Sequence, residues 1–262
     1  MAQPLPNTTT SRLTLLTGIV NMFSGMYSSA KAMQFAEQRH EVSANNLAHV
    51  NNPGHRREVL AHREFDSYLN RQSQEAPNKQ SEPYYALSTD FTPGAMKQTG
   101  RTLDIAIEGE GFLRVLGLEE TLYTKNGVMH VSEDGQIVTA DNLPILGQNG
   151  PLQLPPDASA ESVRITNDGR VFSGSTEVGQ LQVAVPASLS DLRRVGETLY
   201  AADADAEIET VEGNLRQGFL ETSNVTPVNE LVNLMVASRH YEAAQRTLTA
   251  ISDTLQQRID LG

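Results

Sequence analysis

Apolar positions recur along this chain in two periods, and the two occupy different regions. Between Val228 and Ile259, Leu234, Tyr241, Leu248 and Leu255 recur every seven residues, and Ala237, Ala244 and Ile251 each follow three residues after one of them. That spacing, uninterrupted by Gly or Pro, predicts a long helix with a narrow apolar stripe. Pro227 lies just ahead of it, and Thr226 or Asn224 is placed to cap it. A second stripe runs near the other end through Phe23, Met26, Ala30, Met33, Glu37, His40, Ala44 and Leu47, with Glu37 and His40 as its polar members. It stops at the Asn-rich run from Asn45 to Gly54, which ends in Pro-Gly.

The period changes to two from about Tyr84. Leu103, Ile105 and Ile107 alternate with Asp104, Ala106 and Glu108, Val163 and Ile165 share that spacing, and so do Leu181, Val183 and Val185. Asn126-Gly127, Asp134-Gly135, Asn149-Gly150 and Asp168-Gly169 supply turn signals, the first two framing a short strand as in a meander of hairpins. The expected class is α+β, with long N- and C-terminal helices pairing as a coiled coil and a mainly antiparallel β domain inserted between them. Two helices of an ordinary helical core would carry the same stripes. The expected organisation is a disordered extension at 1–21, a terminal helical assembly domain made of 22–69 with 215–262, an exposed linker at 70–83, and a β domain at 84–214. The linker, from Asn70 to Pro83, is almost devoid of apolar residues.

Charge narrows the function. A net charge of −12 argues against nucleic acid as a partner, since phosphate contacts need a basic face. The one local basic run, His55-Arg56-Arg57 with Arg63, is interrupted by Glu58 and Glu64. The chain has no cysteine, which removes disulfides, thiolate metal sites and a cysteine nucleophile. No apolar run is long enough to span a bilayer. Leu13 to Val20 is a diluted version of a signal-peptide core, with Ala30-Lys31-Ala32 in the place of a cleavage site.

Candidate chemistry is sparse. His40, His49, His55 and His62 fall close together but straddle a helix, its stop and the next segment, so solvated or turn-lining histidines are expected rather than a metal site. Asp203, Asp205 and Glu207 have alternate spacing but lack the central Gly and distal Glu of a calcium loop. Gly109-Glu110-Gly111 lacks the third glycine of a dinucleotide fingerprint and is expected to be a bend. No nucleophile elbow or phosphate loop occurs. The expectation is a non-enzyme without cofactor or metal.

Several motifs together carry a resemblance. YSSAKAM from Tyr27 to Met33 and ANNLAHVNNPG from Ala44 to Gly54 resemble the N-terminal signature of bacterial flagellar axial proteins of the rod and hook. TGRTLDIAIEGEGFLRV from Thr99 to Val115, YTKNG from Tyr123, and DGQIVTAD from Asp134 resemble the β domain of the rod proteins, of distal or proximal type. GFLETSNV from Gly218 to Val225 and RHYE from Arg239 to Glu242 are similar to the C-terminal signature. The pattern departs at His49, where the family usually has Asn, and at His55, where it usually has Phe; residues 1–21 precede its usual start, which falls at Met22.

The resemblance implies a structural subunit of the basal-body rod that self-assembles helically and transmits torque to hook and filament. The expected partners are copies of itself, other rod and hook proteins, and the flagellar type III export apparatus, with no nucleic acid and no membrane insertion. The expected place is the periplasm-spanning rod, reached without a cleaved signal peptide, since cleavage near Ala32 would cut into the first helix. Phe23, Met26, Ala30, Met33, Ala44, Leu47, Leu234, Tyr241, Leu248, Ile251 and Leu255 are the expected packing positions between subunits. Asn45, Asn46, Leu47, Ala48, Pro53, Gly54, Ser223, Asn224 and Val225 are the family-motif residues. The alternating strands also allow a secreted or periplasmic binding module whose β domain recognises a ligand.

Overall fold

A computed structural model describes residues 8–62, 85–156 and 158–260 of the chain. The expected linker at 70–83 lies outside the described residues, as do residues 1–7 of the expected extension. The chain forms two compact units, one comprising residues 1–45 with 228–262 and the other residues 46–227.

The first unit contains helix α1 (Thr8–Ala48) and helix α2 (Pro227–Asp260), which extend over its boundaries by a few residues. Helix α1 begins at Thr8, well ahead of Met22, so the stretch expected to be disordered is helical from that point. The coiled-coil pairing expected of the two stripes is corrected by what the helices bury. A coiled coil seats bulky side chains from both lines of a stripe in facing holes. Here Phe23 is 60% exposed and Tyr241 38% exposed. Ala30 and Ala44 are exposed as well, and Met26, Met33, Leu47, Leu234, Leu248, Ile251 and Leu255 are only half-buried. Among the described residues, the buried positions on α1 are instead Ser29, Ala36 and Ser43, with Asn46 beyond the unit's boundary; on α2 they are Glu230, Ala237 and Ala244. The buried line therefore runs one position ahead of Ala30, Glu37 and Ala44, through small residues that include two serines. Ser29 satisfies its buried hydroxyl locally, donating from Oγ to the Gly25 carbonyl at 2.9 Å. A methyl group at Gly25 would lie 3.1 Å from Ile251 Cδ1, so close approach at that point uses the missing side chain.

The second unit is antiparallel throughout its described pairings. Its central sheet has β5 (Phe112–Leu116), β6 (Thr121–Thr124), β14 (Val183–Pro186), β15 (Leu192–Arg194), β16 (Leu199–Ala202) and β17 (Ile208–Val211), in the order β15-β16-β6-β5-β14-β17. Three strands, β11 (Val163–Ile165), β12 (Arg170–Ser173) and β13 (Thr176–Gln180), form a meander. Short ribbons complete it: β1 (Glu58–His62) with β2 (Tyr85–Thr89), β3 (Met96–Gln98) with β19 (Phe219–Glu221), and β4 (Ile105–Ile107) with β18 (Leu215–Gln217). Two more are β7 (Met129–Val131) with β8 (Ile137–Thr139), and β9 (Leu146–Gly147) with β10 (Gly150–Pro151). Because β1, β18 and β19 belong here, the division falls at residues 45/46 and 227/228, not at 69 and 215.

The turn signals act unequally. Asp134-Gly135, Asn149-Gly150 and Asp168-Gly169 join paired strands, but Asn126-Gly127 does not close a hairpin. Gly127 instead passes against β4: its carbonyl accepts from Ile105 N at 3.1 Å, and a Cβ there would fall 1.6 Å from Ile105 O. Strand β4 also departs from simple alternation, since Ala106 is as buried as Ile105 and Ile107 and even Asp104 is enclosed.

One core joins these pieces. Leu113 and Val115 of β5 meet Ile105, Met129, Ile137, Ile145, Val171, Leu181, Val183 and Leu215. Successive side chains of a strand point to opposite faces. Phe112 accordingly packs on the other side, with Tyr200 and Leu192, and with Phe91 half-buried against them. Truncating Leu215 to Ala deletes a wholly buried side chain and is expected to cost about 3 kcal/mol of unfolding free energy in urea. Leu118→Ala, at a fully exposed hairpin tip, is expected to leave the midpoint unchanged.

Candidate functional site

Asn46, Gly54 and Asn224 of the family motifs act at one place in the β unit, where its first and last segments are tied together, whereas Asn45 falls in the other unit. Asn46, wholly buried, donates from Nδ2 to the Glu58 carbonyl at 2.9 Å and accepts from Glu58 N at Oδ1 at 2.8 Å. Its amide thus pairs with the first residue of β1 as a neighbouring strand would. Asn224 does the same work from the other end, accepting from Arg57 N at 2.7 Å and donating to the carbonyls of Asp90 and Thr92 at 2.9 and 3.0 Å. Gly54 N donates to the Glu221 carbonyl at 2.8 Å. At φ +71°, with the Lys125 and Asn126 backbones 2.4 Å from where a Cβ would stand, only glycine fits position 54. Ser223 Oγ accepts from Val225 N at 3.1 Å, and Val225 is buried. Pro53 and Leu47 are half-buried, and Ala48 is exposed.

Behind these motifs lies a buried charge network that the motif reading missed. Arg56 Nη2 meets Glu221 Oε1 at 2.7 Å, with both side chains almost wholly enclosed. Glu221 Oε1 also accepts from Gly94 N at 2.8 Å, and Lys125 Nζ stands 3.8 Å from Oε2. Lys125 donates to the Gly109 carbonyl at 2.8 Å and lies over the Phe112 ring. Burial lowers the Lys125 amine to about 8, against the opposing pull of Glu221. Arg194 extends the network, pairing with Glu58 at 3.3 Å, donating to the Arg56 carbonyl, and reaching Tyr200 Oη at 3.3 Å. Burial pushes the Tyr200 phenol up to about 12, so it stays protonated. Phe91, Phe112 and Tyr200 close the site with ring centroids 5.3 to 5.9 Å apart.

The carboxylate of Glu221 is held by two cations and a backbone N–H, which makes this arrangement a tie between distant segments. The sequence signal for it was present: Arg56 directly follows the Asn-Pro-Gly stop, and Glu221 is the single acid inside GFLETSNV. Among the described residues, no three His, Asp or Glu side chains gather as metal ligands would. His49 and His55 do come together, with ring centroids 5.2 Å apart, whereas Asp203 and Asp205 are exposed beyond β16. Gly109 and Gly111, at φ +109° and +115°, form a bend before β5.

Removing one member of a buried pair strands the other charge. Glu221→Gln is expected to lose about 3 kcal/mol or more of unfolding free energy, and Glu221→Gln with Arg56→Met to recover much of that loss. A double-mutant cycle in urea measures both.

The comparisons with known proteins match this layout. Residues 106–173, from β4 to β12, match the family described as the flagellar hook protein FlgE/F/G D1 domain. Residues 216–261 match the flagellar basal body rod FlgEFG protein C-terminal family. The chain is 28% identical over 264 residues to the flagellar basal-body rod protein FlgG of Bacillus subtilis, covering 92% of this chain and 99% of that one. It is 27% identical over 248 residues to the flagellar basal-body rod protein FlgF of Caulobacter vibrioides, covering 91% and 98%. With FlgG of Buchnera aphidicola from Acyrthosiphon pisum the identity is 32% over 180 residues, covering 63% and 67%. With both ends of the β unit tied through the shared motifs, and likeness running over most of its length, this chain belongs to the flagellar basal-body rod protein family.

Proposed function

We propose that this chain is a structural subunit of the bacterial flagellar basal-body rod, joined to copies of itself and to other axial proteins. Its relatives' names favour this over the ligand-binding module that the alternating strands also allow. The structural observation that carries the reading is an apolar row at the start of α2. Val228, Leu231, Val232 and Met235 are each at least half exposed, and their spacing puts them on one helical face. Phe23 and Tyr27 of α1 are more than half exposed as well. An apolar face of this kind is buried when another surface covers it.

Contact between unlike surfaces of successive copies does not close on itself, and it generates a helical filament. Such a filament crosses the periplasm and transmits torque to the hook. The chain reaches it through the flagellar export apparatus without signal cleavage. Among the described residues, no helix is long and apolar enough to cross a membrane. The packing positions on the two helices, Tyr241 among them, belong to this assembly surface.

Met235→Asp places a charge in the exposed row without touching either core. The secreted protein is expected to keep its circular dichroism, while its content in purified basal bodies falls about tenfold or more and motility is lost. Tenfold corresponds to roughly the contribution of burying one such side chain. Tyr241→Asp is expected to act in the same direction. Wild-type incorporation of both variants, measured by immunoblot of basal bodies, overturns the assignment of this surface.

A further inference from the structure

We propose that His55 is the pin of an acid-sensitive clasp between the turn at residues 49–56 and the tip of the β15–β16 hairpin. The side chain is wholly buried. Its Nδ1–H donates to the Glu197 carbonyl at 3.0 Å, and its Nε2 is sealed from solvent without a hydrogen-bond partner. The neutral ring tolerates that, because Nε2 then carries only a lone pair. Asn52 completes the clasp by donating from Nδ2 to Glu197 Oε2 at 2.9 Å and to His49 Nδ1 at 3.0 Å.

The surroundings oppose a positive charge on His55. From its own segment it faces the His49 ring at 5.2 Å, with the Arg56 guanidinium next in the chain. From β1 it faces Glu58, whose carboxylate is already paired with Arg194 at 3.3 Å. From the hairpin it faces Arg194 itself, which donates from Nη1 to the same Glu197 carbonyl at 3.0 Å. The Glu197 carboxylate is mostly in solvent and engages Asn52, and lies 3.5 Å from His49.

Protonation would place an N–H and a charge in a closed pocket with no acceptor for either. Opening the tip at residues 195–198 relieves both. Strand β15 stays in place, because Arg194 is held separately by the Arg56 carbonyl and Glu58.

Burial, first, and then the nearby Arg194 and His49 lower the His55 imidazole below its ordinary 6.5, against the hydrogen bond to Glu197 and the Glu58 charge. The unfolded or opened state therefore binds the proton more readily than the closed one. The clasp's stability is complete above that ordinary value and is lost as pH falls from it through the closed-state value.

Hydrogen exchange of the full chain at pH 7.5 and pH 5.5, corrected for intrinsic rates, tests this. Amides of residues 49–56 and 195–198 are expected to open up to about tenfold more often at the lower pH, while those of β4 and β18 do not change; pH 5.5 lies one unit below the ordinary 6.5 of an opened imidazole, which sets that ceiling. His55→Gln keeps a donor for the Glu197 carbonyl and never charges, so it is expected to show no pH effect. If it loosens the tip already at pH 7.5, His55→Leu replaces it, with the same expectation of pH independence. An acceleration that survives in the uncharged variant, or none in the unaltered chain, overturns the proposal.

Discussion

The ion pair between Arg56 and Glu221 is the constraint on which the β unit depends. Its two residues are separated by almost the whole unit, and both are enclosed. A buried charge without its partner is far less favourable than the pair. With both side chains enclosed, this part of the core is complete only when the unit's first and last segments are together. Such pairs add little net stability compared with apolar residues of the same volume. The Arg56 guanidinium, the Gly94 N–H and the Lys125 amine all converge on the one carboxylate of β19.

Around this pair the backbone amides are assigned to side chains instead of to strands. Asn46 and Asn224 each engage donors and acceptors that have no strand partner. Gly54 admits the Lys125 and Asn126 backbones, and Gly94 admits the Thr222 carbonyl, each where a side chain would collide. The Asn-rich stop after α1, which reads as a helix terminator, is thus also the start of the tie. That dual use follows from chemistry: a short amide side chain imitates the backbone it replaces.

The two helices follow a different rule. Apart from Asn46 and Glu230, their buried positions among the described residues are small, and their large apolar residues at the start of α2 face outward. The apolar periodicity there is real, but it does not mark a coiled-coil pairing of the two helices. A stripe records where apolar side chains lie, but whether a stripe meets its own chain or another surface is set outside the stripe. The shift in phase on α1, from Ala30 and Ala44 to Ser29, Ala36 and Ser43, shows how little the hydrophobic period says when alanine and serine do the close packing.

The sequence by itself determined the classes of element and their order, since a period of seven and a period of two are local properties that survive in any context. It also determined the family, because the motifs stand in the chain in a fixed order, and it located three of the turns, where glycine follows Asp or Asn. It marked Asn46, Gly54, Asn224 and Val225 without saying what they touch. Tertiary structure alone decided that Asn126-Gly127 is a close approach to β4, that β18 and β19 belong to the β unit, and that α1 buries serines and an alanine. It alone brought His55 under Glu197 and Arg56 to Glu221. Each of these depends on residues far apart in the chain, and a one-dimensional pattern holds no distance between them.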